Sequence, residues 1–277
     1  MKKIIVPTDF SEHSEYALKT AAALARKNKA EIIVLNMLEM SDIMLTASGG
    51  DQNAKTMFFY KFALQELNVF LRKDYLKDIK VTPIVKHFKV FSEVNEIAVE
   101  HNADLIVMGS HGASGVKELV IGSNTERVVR NSSIPVLVVK NELKKTNFEN
   151  IVFACDFSDE VIKPYHNFIK WFDNQKSKIN MVYVNLPNER FKSSLEIEKS
   201  AINFFKKADG NTKRMQDVHF VADYTPELGI INFAKKISAD LIAVPTHGRK
   251  GIAHFLEGSI GEDVVNHAAL PVMTFKV

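Results

Sequence analysis

The residues with the clearest chemical potential form the pattern Gly109-x2-Gly112-x9-Gly122-Ser123. The first glycine follows Leu105–Met108, an apolar run with the length of a buried strand. A glycine just past a strand permits close backbone approach or a positive φ. A Gly-Ser pair at the start of a helix leaves backbone amides free, and the helix dipole favours an anion there. The spacing predicts an anion site suited to phosphate, with purely structural turns as the alternative use of these glycines.

A second element is Pro7-Thr8-Asp9, which ends the first apolar run of the chain. In open α/β sheets, ligands bind beyond the carboxyl ends of the strands, where the strand order reverses. Asp9 is therefore a candidate ligand residue. An equally weighted alternative is that Asp9 serves as a cap or turn residue before the first helix.

Few other residues are candidates for catalysis or metal binding. Asp9 and His111 are the only candidates for a general base near a bound phosphate, and the sequence shows no partner that would orient either of them. The nine histidines show no spacing typical of a metal site. Cys155 precedes a predicted helix, which could stabilise a thiolate. A small half-buried residue is the favoured interpretation of this cysteine.

The elements that must position these residues alternate between strand and helix. In the first half, strands are predicted at Ile4–Pro7, Glu31–Met37, Val81–Lys86, Leu105–Met108 and Val136–Val139. Helices are predicted after the capping residue Ser11 and at 55–73, Ser92–His101 and Gly122–Arg130. Such alternation predicts parallel sheets covered on both faces. Met40–Thr56 is predicted to be irregular, either a surface loop or a lid over a ligand.

The chain contains two copies of one unit. Residues 103–140 and 239–276 align without a gap and share 15 identities in 38 positions, which indicates homologous halves. The openings also match, IIVPTDFS at 4–11 against IVFACDFS at 151–158. A polar seam separates the halves, so the predicted domains are 1–143 and 144–277.

Composition excludes several classes of protein. The 277 residues carry a net charge of +3 without a basic block, so no nucleic-acid partner is expected. No apolar run approaches the length of about 18 residues that a membrane span requires, so no membrane partner is expected. The single cysteine cannot form an internal disulfide, which fits a cytoplasmic protein.

Four segments together resemble the universal stress protein family: Val6–Ser11, Met108–Gly112, Ile121–Glu126 and Ile134–Val139. The spacing Gly-x2-Gly-x9-Gly-Ser is the signature of the ATP-binding members of that family. The resemblance covers both halves. It implies an α/β fold of two doubly wound, Rossmann-like domains of the adenine nucleotide alpha hydrolase type, each with a five-stranded parallel sheet of order 3-2-1-4-5.

The resemblance also implies a binding site for ATP, ADP or AMP in the first half, with any Mg²⁺ arriving on the phosphates. Carried over by position, Pro7, Thr8 and Asp9 would contact adenine and ribose, and Met37 would contact adenine through its backbone. The ribose and phosphates would be surrounded by Met108, Gly109, His111, Gly112, Gly122, Ser123, Asn124 and Thr125.

Both halves depart from the family pattern. In the first half, Ala113 stands where the family often has a basic residue, which could reduce affinity for the triphosphate. In the second half, Pro245 replaces the first glycine, while Gly248, Gly258 and Ser259 remain. Proline has no N–H and cannot adopt positive φ. Ala154 and Cys155 replace the Pro-Thr pair, so weak or no ATP binding is predicted for this half.

The fifth strands, Val136–Val139 and Val272–Phe275, are apolar on both faces and close each half. An edge of that kind favours pairing, so the two halves are expected to pair with each other, and a homodimer is a further expectation. The expected function is nucleotide-dependent regulation in the stress response, without enzymatic activity. The alternatives are a slow ATPase or nucleotide-dependent transferase, and an adaptor that binds no nucleotide.

Overall fold

The structure of the protein is a computed structural model that describes residues 1–38, 50–87, 93–111, 121–172, 177–187, 191–246 and 260–277. The chain separates into two compact units, Met1–Thr146 and Asn147–Val277. This division lies close to the boundary predicted from the polar seam.

The first unit is a parallel sheet with helices in its crossovers. Its strands are β1 Lys3–Thr8, β2 Glu31–Leu38, β3 Val81–His87, β4 Leu105–Gly109 and β5 Val136–Val139. Its helices are α1 Glu12–Asn28, α2 Gly50–Phe70, α3 Val94–Glu100 and α4 Ser123–Asn131, with a 3-10 turn at Asp74–Leu76. All described strand pairs are parallel, in the order β3-β2-β1-β4-β5. This is the strand order that the family resemblance implies.

The order of the strands reverses between β1 and β4. β1 is followed in sequence by β2 on one side, whereas β4 and β5 lie on its other side. The connections leaving the carboxyl ends of β1 and β4 therefore diverge, which opens a crevice at this edge. Both strands are apolar and buried along nearly their whole length, so their ends are held rigidly by the core.

The second unit repeats this architecture. Its strands are β6 Asn150–Ala154, β7 Lys178–Asn185, β8 Val218–Ala222, β9 Leu241–Thr246 and β10 Val272–Lys276. Its helices are α5 Ile162–Phe172, α6 Ser194–Asp209, α7 Pro226–Lys236 and α8 Ile260–His267, with 3-10 turns at Asp159–Val161 and Lys213–Asp217. The parallel order β8-β7-β6-β9-β10 matches that of the first unit.

One part of the repeat serves the fold and not the crevice. Asp104 Oδ2 accepts hydrogen bonds from the backbone amides of Lys2 at 2.6 Å and Lys3 at 3.0 Å. Asp240 Oδ2 does the same for Glu149 and Asn150, at 3.0 and 2.8 Å. The shared Ala-Asp-Leu-Ile segment thus anchors the beginning of the first strand in each unit.

The predicted elements are present, with changes at their ends. The second helix begins at Gly50, not at residue 55, and ends at Phe70. The prediction that Met40–Thr56 is irregular is therefore wrong for residues 50–56, while 40–49 lie outside the described residues. The third helix runs over Val94–Glu100, shorter than the predicted Ser92–His101, of which Ser92 is not described.

Candidate functional site

The crevice at the carboxyl edge of the first unit gathers residues from four elements. Pro7 and Thr8 end β1 and Asp9 follows them, Met37 lies at the end of β2, and Met108 and Gly109 end β4. Gly122 caps α4, whose first turn is formed by Ser123, Asn124 and Thr125. His111 follows β4 by two residues. Gly112, Ala113 and the other residues up to 120 lie outside the described residues.

Gly109 is required by the packing of the helix that faces it. A Cβ built on Gly109 would lie 2.7 Å from both the carbonyl carbon and the carbonyl oxygen of His13, in the first turn of α1. Neither atom is the end of a flexible side chain, so a substituent there displaces backbone. The first glycine of the motif thus permits a close approach between α1 and β4. From the sequence, the same glycine was predicted to permit a close approach of the backbone to a ligand, or a positive φ.

The amino end of α4 is fastened to the end of β4 by two hydrogen bonds. The amide of Gly122 donates to the Ser110 carbonyl at 2.8 Å. The buried hydroxyl of Thr125 donates to the Gly109 carbonyl at 2.9 Å. The first intrahelical bond of α4 runs from the Glu126 amide to the Gly122 carbonyl. The amides of the three preceding residues consequently have no acceptor within the helix, as an anion site requires.

In the turn after β1, the side chains of Thr8 and Asp9 form hydrogen bonds with nearby groups of the protein. The hydroxyl of Thr8 donates to Ser14 Oγ at 3.0 Å and accepts from the Phe10 amide at 3.2 Å. Asp9 Oδ1 accepts from the Ser11 amide at 3.1 Å, and Phe10 has a positive φ of 66°. The structural interpretation of Asp9 as a turn residue is therefore correct for this oxygen. The side chain of Asp9 is half-buried at the crevice.

The end of β2 contributes a residue that the sequence analysis missed. Asn36 pairs in register with Thr8, and its Nδ2 donates to the Thr8 carbonyl at 2.9 Å. Its side chain is 5% exposed, and Met37 beside it is 8% exposed. A polar residue inside the apolar run Glu31–Leu38 was the available signal.

Two histidines meet where α1 faces the end of β4. The ring centroids of His13 and His111 are 5.2 Å apart. His111 Nδ1 lies 2.9 Å from the Ser110 hydroxyl, which orients the imidazole. No partner for His111 was predicted from the sequence: Ser110 is its neighbour in the chain, whereas His13 comes close only when α1 packs against β4.

The corresponding edge of the second unit is filled by aromatic side chains. Phe157 is the repeat counterpart of Phe10 and shares its positive φ, at 60°. Phe10 is 38% exposed, whereas Phe157 is 6% exposed and its ring stacks on Tyr183 with a centroid distance of 5.8 Å. Tyr183 follows the register pair Ala154–Val182 and so occupies the position that Asn36 has in β2.

The other exchanged residues of the second unit also disfavour an anion. Pro245 lies inside β9, in register with Phe275. In the first turn of α8, Asp263 stands where the first unit has Arg127, and burial together with the nearby Glu227 and Glu262 raises the pKa of Asp263. The exchange removes a cation and adds a carboxylate at an end of the helix where a phosphate would need the same amides and the same dipole.

Cys155 has a structural environment. Its side chain is buried, its amide donates to the Val182 carbonyl at 3.0 Å, and burial raises the pKa of its thiol above the usual range. A redox thiol requires the opposite shift of the pKa. Within the described ranges there is no group of three or more metal-ligating side chains and no helix long and apolar enough to cross a membrane.

Both units are doubly wound α/β domains, and in each the strand order reverses between the first and the fourth strand. The profile of the universal stress protein family matches residues 1–140 and 147–276. The chain therefore belongs to the universal stress protein family, as a tandem member with two family domains.

Known relatives agree with this assignment. Two universal stress proteins of Methanocaldococcus jannaschii are 34% and 31% identical over 155 and 154 residues, covering 51% and 52% of this chain and 96% and 85% of the relatives. The crystal structure of a universal stress protein from Archaeoglobus fulgidus aligns with a TM-score of 0.67 and 23% identity, over 99% of this chain and 98% of its own. That likeness supports the fold.

Proposed function

We propose that the first unit binds an adenine nucleotide, ATP or its di- or monophosphate, and that the protein is a cytoplasmic regulator in the stress response. Nucleotide binding would act by favouring one conformational or partner-bound state over another. The spacing Gly109-x2-Gly112-x9-Gly122-Ser123, typical of the ATP-binding members of the family, supports this proposal.

The observation that carries the proposal is the tethered amino end of α4. Two hydrogen bonds, from Gly122 and Thr125 to Ser110 and Gly109, fix the start of α4, with its free amides, beside the end of β4. The side chains of Thr8 and Thr125 are already bonded within the protein, so backbone groups would provide much of the nucleotide contact. Any Mg²⁺ would be held by the phosphates, with the half-buried Asp9 after β1 as a carboxylate at the same edge of the sheet.

The test is the nucleotide content of the purified full-length chain. Mass spectrometry of denatured protein, with calorimetry of added ATP, should give one adenine nucleotide per chain. Gly122→Val should abolish binding, because its side chain would obstruct the start of α4. Gly258→Val, the counterpart in the sequence repeat, should leave it unchanged. Two nucleotides per chain would refute the single site, and none would favour the adaptor alternative.

We further propose that the second unit binds no nucleotide. The Phe157–Tyr183 stack occupies the end of its first two strands, and Asp263 adds a carboxylate in the first turn of α8, where the first unit has Arg127. The double variant Phe157→Ala and Tyr183→Asn removes the stack, and titration of this variant should still give one site because Pro245 and Asp263 remain.

A slow ATPase is the second candidate, favoured by the contact between Ser110 and His111 Nδ1. An oriented imidazole beside the phosphate loop could accept a proton from an attacking water. Under our main proposal the protein has no such activity. Single-turnover measurements with radiolabelled ATP decide between them: hydrolysis that is lost in His111→Ala and in Asp9→Asn would establish the enzyme.

We also propose that the units pair through β5 and β10, because both strands are apolar. Separately produced units should then co-elute on size exclusion, and Val138→Lys should prevent it. Light scattering of the full chain tests for a homodimer.

A further inference from the structure

A buried acceptor at the end of β2 has no donor among the residues that the structure describes. Asn36 is 5% exposed, and its Oδ1 accepts no hydrogen bond from any residue that the structure describes. Its Nδ2, in contrast, donates to the Thr8 carbonyl at 2.9 Å. Buried polar atoms in native proteins are nearly always paired, so an unpaired one indicates a missing partner.

The orientation of this amide follows from its neighbour. The Thr8 carbonyl can only accept, so the amide atom beside it must be the nitrogen. Turning the amide by half a rotation would place two acceptors against each other. Oδ1 is therefore the amide atom that lacks a hydrogen-bond donor among the described residues.

We propose that Asn36 Oδ1 accepts a hydrogen bond from the exocyclic amine of the adenine base and thereby selects adenine over other purines. This inference rests on the proposed function. Asn36 lies between two residues assigned to the base, since it pairs with Thr8 across the sheet and precedes Met37 in β2. The amine has two N–H groups, so a bond to the Met37 backbone leaves one for Asn36.

The chemistry discriminates between bases. A purine with a carbonyl at this position, such as hypoxanthine, brings an acceptor against the buried Oδ1. A purine with hydrogen there leaves Oδ1 unpaired. Sites built to bond a polar substituent reject analogues that lack it, because the buried protein group then has no partner. In the second unit the same position is Tyr183, whose ring is stacked on Phe157.

The experiment measures dissociation constants of the full chain by calorimetry for ATP, inosine triphosphate and purine riboside triphosphate. The wild type should prefer ATP to purine riboside triphosphate by more than about tenfold, because the analogue loses the hydrogen bonds to both Asn36 and the Met37 backbone. Asn36→Leu should weaken ATP binding by about tenfold, as expected for one buried hydrogen bond, and leave the binding of purine riboside triphosphate unchanged. The matched control is Asn180→Leu, which removes a buried amide from β7 of the second unit and should keep the full preference.

Three results would overturn the inference while nucleotide binding itself persists. The first is an unchanged preference for ATP in Asn36→Leu. The second is an equal loss of affinity for all three nucleotides in that variant. The third is that the wild type binds N6,N6-dimethyl-ATP, whose amine has no N–H, with the same affinity as ATP. The last comparison uses the wild type alone, so it holds even if the variant does not fold. Failure of the wild type to bind any of the nucleotides would instead refute the proposed function.

Discussion

At the scale of single residues, the crevice is built from groups that also hold the fold together. Asp9 and Asp156 each accept a hydrogen bond from the serine amide two positions on, at 3.1 and 2.9 Å. The aspartate persists in the second unit although the Pro-Thr pair before it is gone. Retention of this residue therefore follows from the turn, and it does not by itself indicate a ligand.

Gly109 gives the first prediction at this scale. Gly109→Ala places a Cβ 2.7 Å from the His13 backbone, so α1 or β4 must shift. We expect the free energy of unfolding of the first unit to fall by about 1–3 kcal/mol, the usual cost of overpacking. Chemical denaturation measures this change.

Ser123→Ala is the control for Gly109→Ala, because Ser123 is exposed and its truncation should change stability by less than about 0.5 kcal/mol. His13→Ala in the Gly109→Ala background should give no rescue, since the clash involves His13 backbone atoms. Unchanged stability of Gly109→Ala would show that the approach of α1 is looser than described.

Cys155 gives the second prediction. The thiol is buried and burial raises its pKa, so the reactive thiolate is scarce at neutral pH. A chromogenic disulfide reagent should label Cys155 slowly at pH 8 and rapidly in denaturant. The variant Ser194→Cys, at the exposed first residue of α6, should react at once in the folded protein. Rapid labelling of native Cys155 would revive the redox interpretation.

At the scale of elements, the periodicity of apolar residues was enough to place the strands and helices, but it placed several ends incorrectly. The helix at Gly50–Phe70 begins earlier than its apolar residues suggest, because Gly50 and the polar residues after it carry no periodic signal. The attachment of the start of α4 to the end of β4 could not be predicted from the sequence either. Its bonds from Gly122 and Thr125 to the end of β4 join residues that only the folded sheet brings together.

The anchors at the amino ends of β1 and β6 give the third prediction. Asp104→Ala and Asp240→Ala each remove an acceptor shared by two backbone amides. Each variant should destabilise its own unit by about 1–2 kcal/mol and leave the other unchanged. Hydrogen exchange resolved by peptide distinguishes the two units.

Asp74→Ala is the matched control, because the side chain of Asp74 forms an exposed ion pair with Lys77 and such pairs contribute little. If either anchor variant loosened both units to the same extent, the units would be unfolding as one cooperative body. The shared aspartate would then stabilise the whole chain instead of one strand.

At the scale of the whole molecule, the two units share one scaffold but differ in the residues at the crevice. Both units keep the strand order, the anchoring aspartate and the positive φ at Phe10 and Phe157. They differ at the crevice, where Asn36 and an exposed Phe10 in one unit correspond to a closed Phe157–Tyr183 stack in the other. The sequence revealed the loss of glycine at Pro245, but the stack could not be predicted because it depends on which side chains β6 and β7 bring face to face.

The fourth prediction is that ATP protects one unit only. A ligand that binds only the folded state, at a concentration of a hundred times its dissociation constant, stabilises the folded state by about 2.7 kcal/mol. Protection from hydrogen exchange should therefore increase at the ends of β1, β2 and β4 and in the first turn of α4. Peptides from the ends of β6 and β9 should exchange at their original rate, because in our proposal the aromatic stack, Pro245 and Asp263 exclude the nucleotide from the second unit. Asn180→Leu should reproduce the wild-type pattern, and Gly122→Val should show no protection at any ATP concentration.

Equal protection of both units would mean either a second nucleotide site or a stabilisation of the second unit by nucleotide bound to the first. The stoichiometry of released nucleotide separates these two explanations.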